Sequence, residues 1–90
     1  MTLAFPNPSR SFDASRNVVR FTGYDGMFEV SFLVEIAALV SSTADRVPER
    51  IEAACLSGFD RLRGSVYAAA SKAYADGRRS PYVLTAADVR

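Results

Sequence analysis

Residues 48–76 carry the pattern that most limits what this chain can become. At about 100° per residue, Ile51, Cys55, Phe59, Leu62, Val66, Ala69, Ala70 and Ala73 fall within one arc of about 100°. Pro48 suits a first helical position and Gly77 the position after the last turn. The spacing therefore predicts one long α-helix over 48–76. Gly58 and Gly64 weaken it, and Ser57-Gly58-Phe59-Asp60 has the spacing of a capping box, but the stripe keeps its phase through both glycines. A helix with a single oily stripe must bury it against a second layer. With 90 residues the chain can build one core and not two, so 1–90 reads as a single domain whose remainder supplies that layer.

The remainder has the period of a sheet. Met27 to Val34 alternates, with Phe28, Val30, Phe32 and Val34 on one face and Met27, Glu29, Ser31 and Leu33 on the other. Asn17 to Thr22 alternates more weakly, around Val19 and Phe21, and suits a half-buried strand. Gly23-Tyr24-Asp25-Gly26 reads as the turn between them. Ser11 to Ser15 reads as a first strand that leaves through a turn at Ala14–Asn17. Residues 1–10, with Pro6 and Pro8, read as an extended arm anchored by Leu3 and Phe5. Glu35 to Ser41 switches to helix formers and predicts a short helix near 35–41, followed by a polar loop at Thr43–Arg46. Tyr82 to Thr85 predicts a last short strand, and Thr85-Ala86-Ala87-Asp88 has capping-box spacing for a final helical turn. The expected fold is α+β in two layers. An antiparallel sheet (11–15, 17–22, 27–34 and 82–85) packs on the long helix, its last strand beside either the first or the third.

Composition removes several chemistries. The chain has no His and one Cys, so Ser–His and Cys–His pairs, internal disulfides and His- or Cys-cluster metal sites are all excluded. Cys55 lies inside the apolar stripe and reads as a small buried hydrophobe. Asp13, Asp25, Glu29 and Glu35 are the candidate acids. Only Asp25 and Glu29 lie close enough to suggest a carboxylate pair, and solvated turn residues are the commoner outcome. Gly23-Tyr24-Asp25-Gly26 matches a nucleic-acid-clamping G-x-x-G only in letters, because it joins strands and carries an acid. No catalytic, metal or cofactor residues are assigned, and no cofactor is expected.

Two surface features survive. Arg50, Arg61 and Lys72 recur every eleven residues, which on a continuous helix makes a basic line about 33 Å long that Arg78 and Arg79 extend. Leu56, Tyr67 and Tyr74 edge the core stripe, as the rim of the helix–sheet contact or as a surface for a second chain, with Met27 and Leu33 adding slightly from the sheet. The net charge of +1 favours no polyanionic partner by itself. The greasiest run, Phe32 to Val40, is too short for a membrane span and is interrupted by Glu35. The first ten residues lack a basic start and an apolar stretch, so a cytoplasmic protein without a signal peptide is expected.

Several strings fall in a recognisable order. They are Phe5-Pro6-Asn7-Pro8-Ser9-Arg10-Ser11-Phe12-Asp13, Val19-Arg20-Phe21-Thr22-Gly23-Tyr24-Asp25, Glu29-Val30-Ser31-Phe32-Leu33-Val34, Tyr74-Ala75-Asp76-Gly77-Arg78-Arg79 and Tyr82-Val83-Leu84-Thr85-Ala86-Ala87-Asp88. Together they resemble a family of small bacterial proteins, domain of unknown function 1488, over nearly the whole chain and least at about 41–58. The resemblance implies a bacterial, soluble α+β domain and transfers no catalytic residue. The leading expectation is a non-catalytic protein-binding or accessory module, with a protein partner or a homodimer as its contact. A nucleic-acid or polyanion binder acting through Arg50, Arg61, Lys72, Arg78 and Arg79 is the alternative. A small enzyme using a carboxylate pair comes third.

Overall fold

The computed structural model describes residues 3–6, 9–40, 47–77 and 82–89. The expected loop at 43–46, and Arg78 and Arg79, lie outside the described residues. In chain order the described elements are β1 (Leu3–Ala4), β2 (Arg10–Asp13), β3 (Val18–Asp25), β4 (Phe28–Glu35), α1 (Ile36–Leu39), α2 (Ile51–Arg61), α3 (Arg63–Ala75), β5 (Tyr82–Leu84) and α4 (Ala86–Val89). The fold is α+β, with one sheet and its helical cover.

β3 and β4 form the spine, paired antiparallel through all eight positions from Val18↔Glu35 to Asp25↔Phe28. β1 and β2 share the other edge of β3: β2 pairs with Val18–Phe21 and β1 with Tyr24–Asp25, both antiparallel. The expected arm thus contributes a strand, and Leu3 and Phe5 pack against the core as anticipated. The first strand ends at Asp13 rather than Ser15, because Asp13 folds back over its own turn. Its Oδ1 accepts from the Ser15 N–H (3.1 Å), the Ser15 hydroxyl (2.7 Å) and the Arg16 N–H (3.3 Å). Asn17 closes that turn at φ 55°, a conformation that Asn tolerates better than most residues.

Three expectations need correction. First, the sheet is mixed rather than antiparallel, because β5 runs parallel to β4 with Phe32↔Tyr82 to Val34↔Leu84. The helices between β4 and β5 carry the chain back along the sheet, so it re-enters in the same direction. Second, the hairpin turn is not Gly23–Gly26. The strand continues through Gly23, and the turn is Gly26-Met27, with Gly26 at φ +63°. Gly23 serves a different end: a Cβ there would stand 2.8 Å from Cε1 of Phe5 and 3.1 Å from Cδ1 of Leu3, so its bare backbone admits the arm. Third, the single long helix of 48–76 is two. Leu62, at φ −102° and ψ 15°, separates α2 from α3, and residues 48–50 form a turn before α2. The low-propensity pair Gly64-Ser65 lies just beyond the break, the kind of sequence at which helices bend.

The buried stripe nevertheless runs on through both helices. Cys55, Phe59, Val66, Ala69, Ala70 and Ala73 meet Val19, Phe21, Phe32 and Val34 of the sheet, with Leu39, Val40, Leu84 and Val89 closing one core. Ser57-Gly58-Phe59-Asp60 caps nothing. A Cβ at Gly58 would overlap the Leu39 carbonyl oxygen and stand 3.1 Å from its carbon, so glycine lets α2 lie directly on the end of α1. At Thr85 the reaching-back half of the box is seen: the Asp88 carboxylate accepts from the Thr85 N–H (2.9 Å) and hydroxyl (3.1 Å), at the start of α4.

Candidate functional site

The hairpin tip is where the alternating pattern and its burial part company. The pleat places Phe28, Val30, Phe32 and Val34 on the core face. Phe32 and Val34 are 0% exposed and Val30 is half-buried, but Phe28 is 77% exposed, and Met27 in the adjoining turn is 98% exposed. Tyr74 on α3 marks where the cover reaches the tip. Its hydroxyl donates to Oδ2 of Asp25 at 2.6 Å, directly across the ladder from Phe28. That hydrogen bond to a carboxylate, with burial adding to it, raises the Tyr74 pKa above its ordinary value of 10.0.

The ladder also separates the candidate acids. Asp25 faces the core side, whereas Glu29 stands opposite Tyr24 on the outer face and receives a long hydrogen bond (3.5 Å) from the Tyr24 hydroxyl. Side chains on opposite faces of the ladder cannot act together on one substrate atom, so the pair does not form. Asp13 is committed to its turn, and the hydrogen bond from Ser15 lowers its pKa. Glu35 takes the position before α1 without capping it. Cys55 is fully buried. Among the described residues no group of three or more His, Cys, Asp or Glu side chains could hold a metal ion.

Tyr67 and Tyr74 lie seven residues apart on α3 and clamp different parts of the sheet. Tyr67 stacks on Phe5 of the arm, with ring centroids 4.0 Å apart and planes 5° from parallel. Arg63 donates to its hydroxyl (2.7 Å) and to Asp60 (2.6 Å), while the guanidinium lies 5.0 Å from the Phe59 ring centre. Tyr74 holds the hairpin through Asp25 and packs beside Tyr82. Leu56 is half-buried against the core. Both tyrosine rings are thus occupied inside the molecule, and the most exposed large apolar side chains among the described residues are Met27 and Phe28, of which the sequence pattern makes the first minor and the second core. The one available signal was adjacency to Gly26, since the residue nearest a turn is the hardest for a helix to reach.

Arg50, Arg61 and Lys72 are exposed, with no ion pair or hydrogen bond among the described residues. Their eleven-residue phase, however, crosses the break at Leu62 and begins before α2, so they do not share one helix. At the other end of the hairpin, an apolar groove of about 450 Å³ is lined by Phe12, Ala14, Asn17, Ile36, Pro48 and Ile51. No described helix is long and apolar enough to cross a membrane. No curated protein and no solved structure matches the chain significantly. A profile described as "Protein of unknown function (DUF1488)" matches residues 3–85, from β1 through β5 and so including α1, α2 and α3, and the chain belongs to that family.

Proposed function

We propose that this chain is a non-catalytic module that binds another protein chain through the tip of the β3–β4 hairpin, with Met27 and Phe28 as the anchor. The supporting observation is the exposure of two large apolar side chains, 98% and 77%, on a turn held in place by Tyr74 and Asp25. Burying side chains of this size in a partner contributes about 1.5–3 kcal/mol each, the scale of an interface hot spot. The tip is also rigidly presented, because it closes a ladder of eight paired positions, so little ordering cost falls on binding.

A photo-crosslinking residue placed at position 27 in cells expressing the protein tests the reading. A discrete adduct is expected, and its mass distinguishes a second copy from another protein. The same probe at exposed Ala53 serves as the control. If position 27 yields no adduct beyond those at position 53, the tip is not an interface. A Met27→Ser/Phe28→Ser variant should abolish the adduct-forming association while folding normally.

A further inference from the structure

The hairpin tip also gathers the chain's accessible sulfur chemistry. The chain has two methionines, one cysteine, no histidine and no tryptophan, so few side chains can react with a two-electron oxidant. Cys55 is fully buried in the core, which seals its thiol from solvent. Among the described residues Met27 is the one sulfur that solvent reaches, and it is almost wholly exposed.

Met27 is not among the residues that hold the fold together. It lies outside the core and outside the described side chains packed on it. The β3–β4 ladder closes without it, running from Val18↔Glu35 to Asp25↔Phe28. Gly26, at φ +63°, carries the left-handed position of the turn, and Tyr74 grips the hairpin through Asp25. The side chain at position 27 can therefore change its polarity while the hairpin keeps its shape. A sulfur that is exposed, dispensable to folding and part of the binding anchor has the makings of a redox switch.

We propose that Met27 is an oxidation site, and that its conversion to methionine sulfoxide by a peroxide releases the partner held by the tip. This regulation rests on the reading of the tip as a protein-binding surface. The thioether sulfur attacks one oxygen of hydrogen peroxide, so an S–O bond forms and the O–O bond breaks. The hydroxide that departs takes the proton of the new S–OH group, leaving the sulfoxide and one water. Sulfur is oxidised by two electrons and the peroxide is reduced by two. The product carries a polar oxygen on what had been an apolar anchor. Water hydrates that oxygen on the free tip, whereas an apolar partner surface strips the hydration without replacing it. Oxidation therefore favours the free protein. The same exposure keeps the sulfoxide within reach of a reductase, so the change is reversible.

A benzophenone analogue of phenylalanine at position 28 of the full chain tests this, because it leaves Met27 in place. The purified protein is oxidised with hydrogen peroxide, returned to cell extract and irradiated. Peptide mass spectrometry should find one added oxygen at Met27, with Cys55 still a thiol and the urea midpoint unchanged. Apparent affinity, read from adduct yield against protein concentration, should fall about tenfold or more and recover after treatment with methionine sulfoxide reductase. Met27→Leu should keep the adduct and lose its sensitivity to peroxide. Met27→Gln, a polar stand-in for the sulfoxide, should lose the adduct with no peroxide present. An adduct that persists on fully oxidised protein, or a Met27→Leu variant that stays sensitive, overturns the switch and leaves the tip reading intact. No adduct from the unoxidised protein removes the tip reading, and the switch with it.

Discussion

The two ends of the β3–β4 hairpin carry the same alternation and meet opposite fates. At the base, Val19 faces Val34 and Phe21 faces Phe32, all buried, with the two phenylalanine rings 5.3 Å apart and nearly parallel. Phe59 leans on Phe21 from the helical layer at 5.1 Å. At the tip, the same face continues as Gly23 with Val30 and Asp25 with Phe28, and cover fails within those two rungs. Phe5 fills the space over Gly23, an aromatic ring from the arm standing in for the absent side chain. Beyond it, among the described residues, the Tyr74 hydroxyl reaches across to Asp25. The pleat decides which face a residue occupies, whereas the length of the covering layer decides whether that face is core.

That distinction predicts very different responses to similar substitutions. Phe32→Ala should destabilise the protein by about 3–5 kcal/mol, while Phe28→Ser should stay within about 0.5 kcal/mol of the wild type, both measured by urea denaturation. Equal losses would mean that the tip is packed and the contrast false. A second contrast uses the helix glycines. Gly58→Ala drives a methyl group into the backbone of Leu39, which cannot swing aside, and should cost about 1–3 kcal/mol. Gly64 has nothing within 4 Å of where its Cβ would stand, so Gly64→Ala should stabilise by up to about 1 kcal/mol. A loss at Gly64 would show that the break beside it is needed, and not merely tolerated.

How far the sequence could be read follows from the same physics. Periodicity located the hairpin, the stripe from Ile51 to Ala73 and the Thr85–Asp88 cap, because each is set by neighbours a few positions away. Periodicity was silent wherever a distant segment decides. Gly23 looks like a turn residue until Phe5 arrives, and Gly58 looks like a helix flaw until Leu39 does. The direction of β5 depends on how far the helices carry the chain, which no local pattern records. The site suffered most. Phe28 shares its strand face with buried Phe32, and only the reach of the helical layer, set by residues more than forty positions away, leaves it exposed. Tyr67 and Tyr74 were rightly placed at the stripe's margin, but which tyrosine would meet an arm and which an acid required the register of β3.

The base and the tip are also clamped by groups that titrate in opposite directions. Near the base, Asp60 ties Arg10 and Arg63 together, and its hydrogen bond from Arg10, then that from Arg63, lowers its pKa below the ordinary 3.8. A lowered carboxylate contributes stability that is present above 3.8 and lost as pH falls through the folded-state value. Asp13 behaves likewise through Ser15. Asp60→Asn should therefore flatten part of the acid limb of a stability–pH curve and leave the alkaline limb alone.

At the tip the sign reverses. The hydrogen bond to Asp25 favours the neutral Tyr74 phenol and raises its pKa above 10.0, so its contribution is complete below 10.0 and disappears as pH rises through the folded-state value. Urea titrations between neutral pH and the alkaline limb should show the wild type losing stability there. Tyr74→Phe should start slightly less stable at neutral pH and show a shallower alkaline decline. Because Tyr74 is the last group of the helical layer to grip the hairpin, this small effect bears directly on presentation of Met27 and Phe28. If Tyr74→Phe leaves both the alkaline slope and the crosslinking at position 27 unchanged, the tip is held by the β3–β4 ladder alone. If it loosens both, the tyrosine–aspartate clamp sets the geometry that a partner meets.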